Sequence, residues 1–158
     1  VGGTGWRPMS FLSNGAVQMQ SGSVPCCGCA GTGMHYTDYV KGPDDPAWKA
    51  DAGVKGWREF MTKYEPDADQ HDTNYVNSYN SAMTLEAVLK ACGNDLSTEN
   101  ILRQAYAIKD LELPMLLPGI KVNTSPTNFH PIRQMQLQKW EGKNWKLFGS
   151  VLSGAADI

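Results

Sequence analysis

The stretch that decides the fold runs from Leu111 to Phe148 and reads LELPMLLPGIKVNTSPTNFHPIRQMQLQKWEGKNWKLF. Pro114 and Pro118 exclude a helix over its first part, because proline lacks an amide hydrogen and clashes with the preceding turn. The apolar residues around them predict extended chain, with a strand that begins at residues 120–122. The polar residues 123–131 predict a loop.

The second half of this stretch has the pattern of an antiparallel hairpin. Residues 132–140 alternate, with Met135 and Leu137 on one face and glutamines at 134, 136 and 138 on the other. Residues 141–144, EGKN, predict the turn, and residues 145–148, WKLF, predict the returning strand.

Three helices are predicted before this stretch. The first has an apolar stripe and ends before Pro66. The second begins near residue 74 and ends at Gly93, and the third is capped by Ser97, with a hydrophobic staple between Leu96 and Ile101. The predicted inner faces are Val54, Trp57, Met61 and Tyr64 for the first helix, Tyr75, Tyr79, Ala82 and Met83 for the second, continued by Leu85, Val88 and Leu89, and Ile101, Leu102, Ala105 and Ile108 for the third.

Two strands are predicted near the start of the chain. Residues 6–12, WRPMSFL, have the apolar character of a buried parallel strand, and residues 34–40, MHYTDYV, alternate like a second strand. The order is strand, strand, three helices, then strands, which indicates an α/β fold with an antiparallel end.

Composition limits the function further. The chain has 158 residues, 41% hydrophobic and 19% charged, with a formal net charge of -2. These values are typical of a globular domain and give no basic stripe for nucleic acid. We expect no nucleic-acid partner and no cofactor. No apolar run is long enough to span a membrane.

Three cysteines crowd into one short run, CCGC, at Cys26, Cys27 and Cys29. With His35 they could hold a metal ion, although the spacing differs from that of paired zinc knuckles. The other interpretation is that they are loop thiols. We predict no metal site.

Motifs in three places resemble the branched-chain amino acid (Leu/Ile/Val-binding) family of periplasmic substrate-binding proteins of ABC transporters. They are YVKGPDDPAW at residues 39–48, LKACGNDLSTEN at residues 89–100 and LPGI at residues 117–120. The resemblance implies part of a type I periplasmic-binding-protein fold, in which hinge strands join two α/β lobes. It places residues 1–40 in the second lobe, residues 41–110 in a helical part returning to the first lobe, and residues 111–158 in crossing strands and a C-terminal hairpin.

The same resemblance implies a function without catalysis. Proteins of this family bind an amino acid or similar small carboxylate, branched-chain or aromatic, in the cleft between the lobes and deliver it to an ABC permease in the membrane. It also implies a periplasmic location, and a first lobe supplied by an N-terminal part of the same protein that is missing from these residues. Two alternatives remain open: a ligand-sensing regulatory domain of the same fold, and a Cys/His metal-binding protein.

Five residues are candidate ligand contacts. Asn14 and Gly15 follow the first strand, and ligands of α/β sheets bind beyond the carboxyl ends of strands. Tyr75 and Asn77 lie at the start of the second helix, which in the resembling family reaches the cleft. Tyr36 lies on the second strand, near the hinge that the resemblance implies. The alternative functions of these side chains are an ordinary turn for Asn14 and core or surface packing for the others.

Overall fold

The computed structural model describes residues 11–12, 33–141 and 144–154. Strands come first and last, and helices lie between them, as the sequence predicts. The strands are β1 (Phe11–Leu12), β2 (His35–Asp38), β3 (Gln134–Trp140) and β4 (Trp145–Ser153), and the helices are α1 (Ala52–Tyr64), α2 (Thr73–Cys92) and α3 (Thr98–Ala105). A 3-10 helix, Pro46–Trp48, precedes α1. None of the helices within these described ranges is long and apolar enough to cross a membrane.

The strands form one mixed sheet in the order β1-β2-β3-β4. β1 pairs with β2 in parallel, with Phe11 opposite His35, whereas β2 pairs antiparallel with β3 and β3 antiparallel with β4. The predicted antiparallel end is therefore confirmed. The carboxyl ends of β1 and β2 lie at the same edge of the sheet as the first residues of β3.

The first helix follows its sequence pattern closely. The Asp51 side chain accepts a hydrogen bond from the backbone N–H of Val54 and so caps α1. Val54, Trp57 and Met61 are buried, as predicted, but Tyr64 at the end of the stripe is 58% exposed.

The predicted inner face of the second helix is confirmed in part: Tyr79 and Met83 pack against the core and Val88 is buried, whereas Tyr75 is exposed. α2 begins at Thr73, close to the prediction, and Gly93 follows it with a positive φ of 60°. Its buried residues are Val76, Asn80, Val88 and Cys92, and Ala82 is exposed. The helix has apolar residues on two sides, so periodicity alone does not select the buried side.

The third helix is capped by Ser97, as predicted, but it is shorter than its apolar pattern. It ends at Ala105, and Ile108 packs against the core from the following turn. Leu96 is 60% exposed, and its staple contact with Ile101 stays a prediction.

The stretch after Leu111 forms the centre of the core. Its buried side chains are Leu113, Met115, Leu116, Leu117, Ile120 and Val122, and Val54, Trp57, Met61 and Val76 of α1 and α2 pack in the same cluster. The chain after β2 pairs with it through hydrogen bonds from Lys41 N to Met115 O and from Leu117 N to Tyr39 O. The strand predicted at residues 120–122 is reduced to one bridge, between Leu111 and Val122, because Gly119 turns the chain just before it with φ of 84°.

The final hairpin forms with one difference from the alternating pattern. Gln138 is 3% exposed, although its glutamine neighbours suggest an outward face. It lies opposite Tyr36 on β2 and Leu147 on β4, in the middle of the sheet. The register shifts between Met135 and Leu137, where Gly149 of β4 has φ of 69°.

Candidate functional site

A groove of about 550 Å³ opens at the edge of the sheet where β2 ends. We call it the strand-end groove. It is lined by Thr37, Thr127, Asn128, Phe129, His130, Ile132, Arg133, Met135, Leu152, Ser153 and Gly154. Its volume is within the range of about 300–1,000 Å³ that is typical of small-molecule pockets. Open α/β sheets bind their ligands at this edge, beyond the carboxyl ends of the parallel strands.

The loop that forms one wall of the groove is held by its own polar side chains. Thr124 Oγ1 donates to the carbonyl oxygen of Ala105 at 2.6 Å, and Asn128 Oδ1 accepts from the backbone N–H of His130 at 3.0 Å. A further backbone hydrogen bond joins Gly154 N to Arg133 O at 2.8 Å and closes the far end of the groove. The loop predicted at residues 123–131 is therefore held in place by hydrogen bonds and forms one wall of the groove.

The lining combines apolar and polar groups. Phe129, Ile132, Met135 and Leu152 supply apolar surface, and the Phe129 ring packs against Tyr106 with centroids 5.3 Å apart. Hydroxyl groups of Thr37, Thr127 and Ser153 line the same groove. His130 forms no side-chain hydrogen bond to any of these hydroxyls among the described residues. This lining provides apolar and polar surface for binding.

The carboxyl end of β2 also carries a buried acid. The Tyr36 hydroxyl donates to Asp38 Oδ2 at 2.7 Å, and Asp38 Oδ1 accepts from the backbone N–H groups of Tyr39 and Val40 at 2.7 and 3.2 Å. Burial raises the pKa of the Asp38 carboxyl, although these three hydrogen bonds act in the opposite direction. The cluster fixes the path of the chain as it leaves the sheet.

A second groove, of about 680 Å³, lies between α1 and residues 112–120. Its charged lining residues already have partners, since Lys41 pairs with Asp51 and Glu112 pairs with Lys121. The strand-end groove is the better candidate because its cationic side chain, Arg133, has no such partner in the described part of the chain.

The structure places the predicted contacts in separate positions. Asn14 and Gly15 lie outside the described residues. Tyr36 is 2% exposed and packs edge-on against Trp145, with centroids 4.4 Å apart. Its contact with a ligand stays a prediction.

Tyr75 and Asn77 lie in the first turns of α2, on a different element from β2. Tyr75 is 37% exposed, and Asn77 is half-buried. The Ser81 hydroxyl donates to the backbone carbonyl oxygen of Asn77 at 2.9 Å. Neither residue lines the strand-end groove. Their contact with a ligand also stays a prediction.

The sequence patterns did not identify the wall residues Thr127 to Arg133. The available signal was a polar loop with one aromatic and one arginine, NTSPTNFHPIR, placed between two extended segments. Loops beyond strand ends are where α/β proteins place binding groups.

His35, the fourth ligand in the alternative Cys/His metal site, packs against two aromatic rings, those of Phe11 and Phe148, each with a centroid distance of 5.5 Å. Cys26, Cys27 and Cys29 lie outside the described residues. Among the residues that are described, no group of three or more His, Cys, Asp or Glu side chains could hold a metal ion.

Comparison with known proteins gives similarity at the level of the fold. No protein-family model matches the chain, and no curated protein matches its sequence. One solved structure, a branched chain amino acid ABC transporter from Thermus thermophilus with bound valine, is 11% identical with a TM-score of 0.64, over 80% of this chain and 35% of that one.

A second solved structure, a possible leucine/isoleucine/valine-binding protein from Rhodopirellula baltica SH 1, is 13% identical with a TM-score of 0.65, over 91% of this chain and 36% of that one. The aligned part of this chain therefore covers about a third of the length of each of these structures. Identities this low show the fold alone. The chain has the α/β fold of part of a type I periplasmic binding protein, which confirms the predicted fold class.

Proposed function

We propose that this protein binds a small solute without transforming it. The observation that supports the proposal most directly is the fold similarity, over 80% and 91% of the chain, to two structures described as branched-chain amino acid transport or binding proteins. The strand-end groove adds an apolar site with polar groups, of ligand size, at the edge where this type of fold binds ligands.

The finer proposal is an ABC-importer binding component. In this proposal an amino acid or similar small carboxylate binds between two lobes, closure of the hinge follows, and the closed form delivers the ligand to a membrane permease from the periplasm. A ligand shifts the open–closed equilibrium only as far as it prefers one form. The neighbours are more than twice as long as this chain, which is consistent with a first lobe formed by further polypeptide of the same protein.

The ligand contacts in this proposal come from the two N-terminal strands and from the start of α2. Asn14 and Gly15 follow β1, Tyr36 lies on β2, and Tyr75 and Asn77 begin α2. The strand-end groove supplies a further wall.

Calorimetric titration of the intact protein that contains these residues tests the proposal. We expect heat of binding with at least one member of a panel of leucine, valine, phenylalanine and the matching 2-oxo acids. The ligand should be recovered unchanged by mass spectrometry after long incubation. An absence of binding across the panel, or conversion of a bound compound, would contradict the proposal.

A further inference from the structure

The strand-end groove has a cationic lining. Arg133 lines it, and no aspartate or glutamate is among its described lining residues. A guanidinium group presents a planar fork of donors that matches a carboxylate. A ligand ammonium group would find no acidic side chain among the described lining residues.

Arg133 also differs from the other arginines of the described part of the chain. Arg58 binds Asp44 Oδ1 at 3.1 Å, and Arg103 binds Asn100 Oδ1 at 2.5 Å. No ion pair or side-chain hydrogen bond of the described residues involves the Arg133 guanidinium, and the side chain is exposed at the groove. Its charge is therefore available to an anionic ligand.

The rest of the groove suits an apolar body. Phe129 is 62% exposed and Leu152 is 47% exposed, and both line the groove together with Ile132 and Met135. Apolar side chains left this accessible mark a binding surface when they surround a concave site.

We propose that the strand-end groove binds an apolar monocarboxylate without an ammonium group, such as a branched-chain or aromatic 2-oxo acid, with its carboxylate on Arg133. This inference rests on the proposed solute-binding function and assigns its ligand class. The reason is charge complementarity. Arg133 offers a cation to the carboxylate, whereas no acidic side chain among the described lining residues is offered to an ammonium group. An ammonium group taken from water without such a partner loses hydration that nothing replaces.

Matched ligands test the assignment on the intact protein. The probes are leucine and 4-methyl-2-oxopentanoate, which share a side chain, and phenylalanine and phenylpyruvate, which share another. The variants are Arg133→Gln, which removes the charge, and Arg133→Lys, which keeps the charge but loses the fork. Lys139→Gln is the control, since it removes an exposed cation from β3 that does not line the groove.

We expect each 2-oxo acid to bind more tightly than its amino acid. Arg133→Gln should weaken 2-oxo acid binding about 10- to 100-fold, because it removes a charge-assisted hydrogen bond to the carboxylate. The affinity of Arg133→Lys for the 2-oxo acids should fall between those of the parent protein and Arg133→Gln. Lys139→Gln should bind them like the parent. Melting curves of the variants establish that they are folded.

The outcomes separate the two proposals. Amino acids that bind as tightly as the 2-oxo acids, or an Arg133→Gln variant with unchanged affinity, would overturn the ligand assignment and leave solute binding intact. Failure of every probe to bind the parent protein would overturn both proposals.

Discussion

Lys41 Nζ lies 2.9 Å from both carboxylate oxygens of Asp51. Lys41 follows β2 and Asp51 caps α1, so this contact ties the chain leaving the sheet to the first helix. Lys41 is 8% exposed, and its ammonium also donates to the carbonyl oxygen of Pro114 at 2.9 Å. Burial raises the pKa of Asp51, but the hydrogen bonds from Lys41 and Val54 outweigh it and leave the pKa below its usual value.

Replacement of Asp51 by asparagine tests this ion pair while keeping the helix cap, since asparagine caps as well as aspartate. The change leaves the Lys41 ammonium without its counter-ion. We expect the free energy of unfolding to fall by about 2–3 kcal/mol, less than for a fully buried pair because Asp51 retains some exposure. Urea unfolding at neutral pH measures it.

The pair also predicts a pH effect with a definite sign. A lowered pKa in the folded state gives stability that is present above the ordinary aspartate pKa and is lost as the pH falls through the folded value. The parent should therefore lose more stability on acidification than Asp51→Asn. Glu86→Gln, which removes an exposed pair with Lys90, is the control and should cost less than about 0.5 kcal/mol.

Asp38 should give a pH dependence of opposite sign. Its pKa is raised in the folded protein. At a pH just above the ordinary aspartate pKa, the folded state therefore still holds a proton that the unfolded state has released. Stability should therefore decrease as the pH rises through that window and level off above the folded pKa. Asp38→Asn should remove this slope because asparagine does not titrate, and its amide oxygen can still accept from Tyr39 and Val40, which keeps the local structure. An unchanged slope in the variant would contradict this assignment.

Two glycines one turn apart on α1 give a matched pair of substitutions. A Cβ atom at Gly53 would collide with the carbonyl oxygen of Pro114, whereas a Cβ at Gly56 would meet nothing within 4 Å. We expect Gly53→Ala to destabilise the protein by about 1–3 kcal/mol and Gly56→Ala to stabilise it by about 0.5–1 kcal/mol. Thermal melting of the two variants measures both effects, and equal shifts of the same sign would contradict the packing described.

Substitutions near the start of α2 distinguish side chains that pack in the core from side chains that contact a ligand. Tyr79 is half-buried and its ring packs against Phe60 with centroids 5.1 Å apart, so Tyr79→Ala should cost about 2–3 kcal/mol of stability. Tyr75→Ala and Asn77→Ala should cost less stability. If this helix start lines the cleft, they should weaken ligand binding by about 1–3 kcal/mol. Unchanged affinity in both variants would remove α2 from the site.

The sequence by itself determined the element types, their order and several of their ends. Ser97 caps α3, as predicted, because a short polar side chain there satisfies a free backbone N–H. Pro114 and Pro118 exclude helix locally, and the Val54, Trp57 and Met61 stripe needs no distant partner to be recognised.

Only the tertiary structure decided which faces are buried and where the groove lies. α2 has apolar residues on two sides, and its buried side depends on what packs against it. Gln138 is buried because the sheet gives it neighbours on both sides, β2 and β4, which its own alternating pattern does not contain. The strand-end groove brings Thr37, residues 127–135 and residues 152–154 together across the sheet, and such long-range proximity leaves no trace in local periodicity.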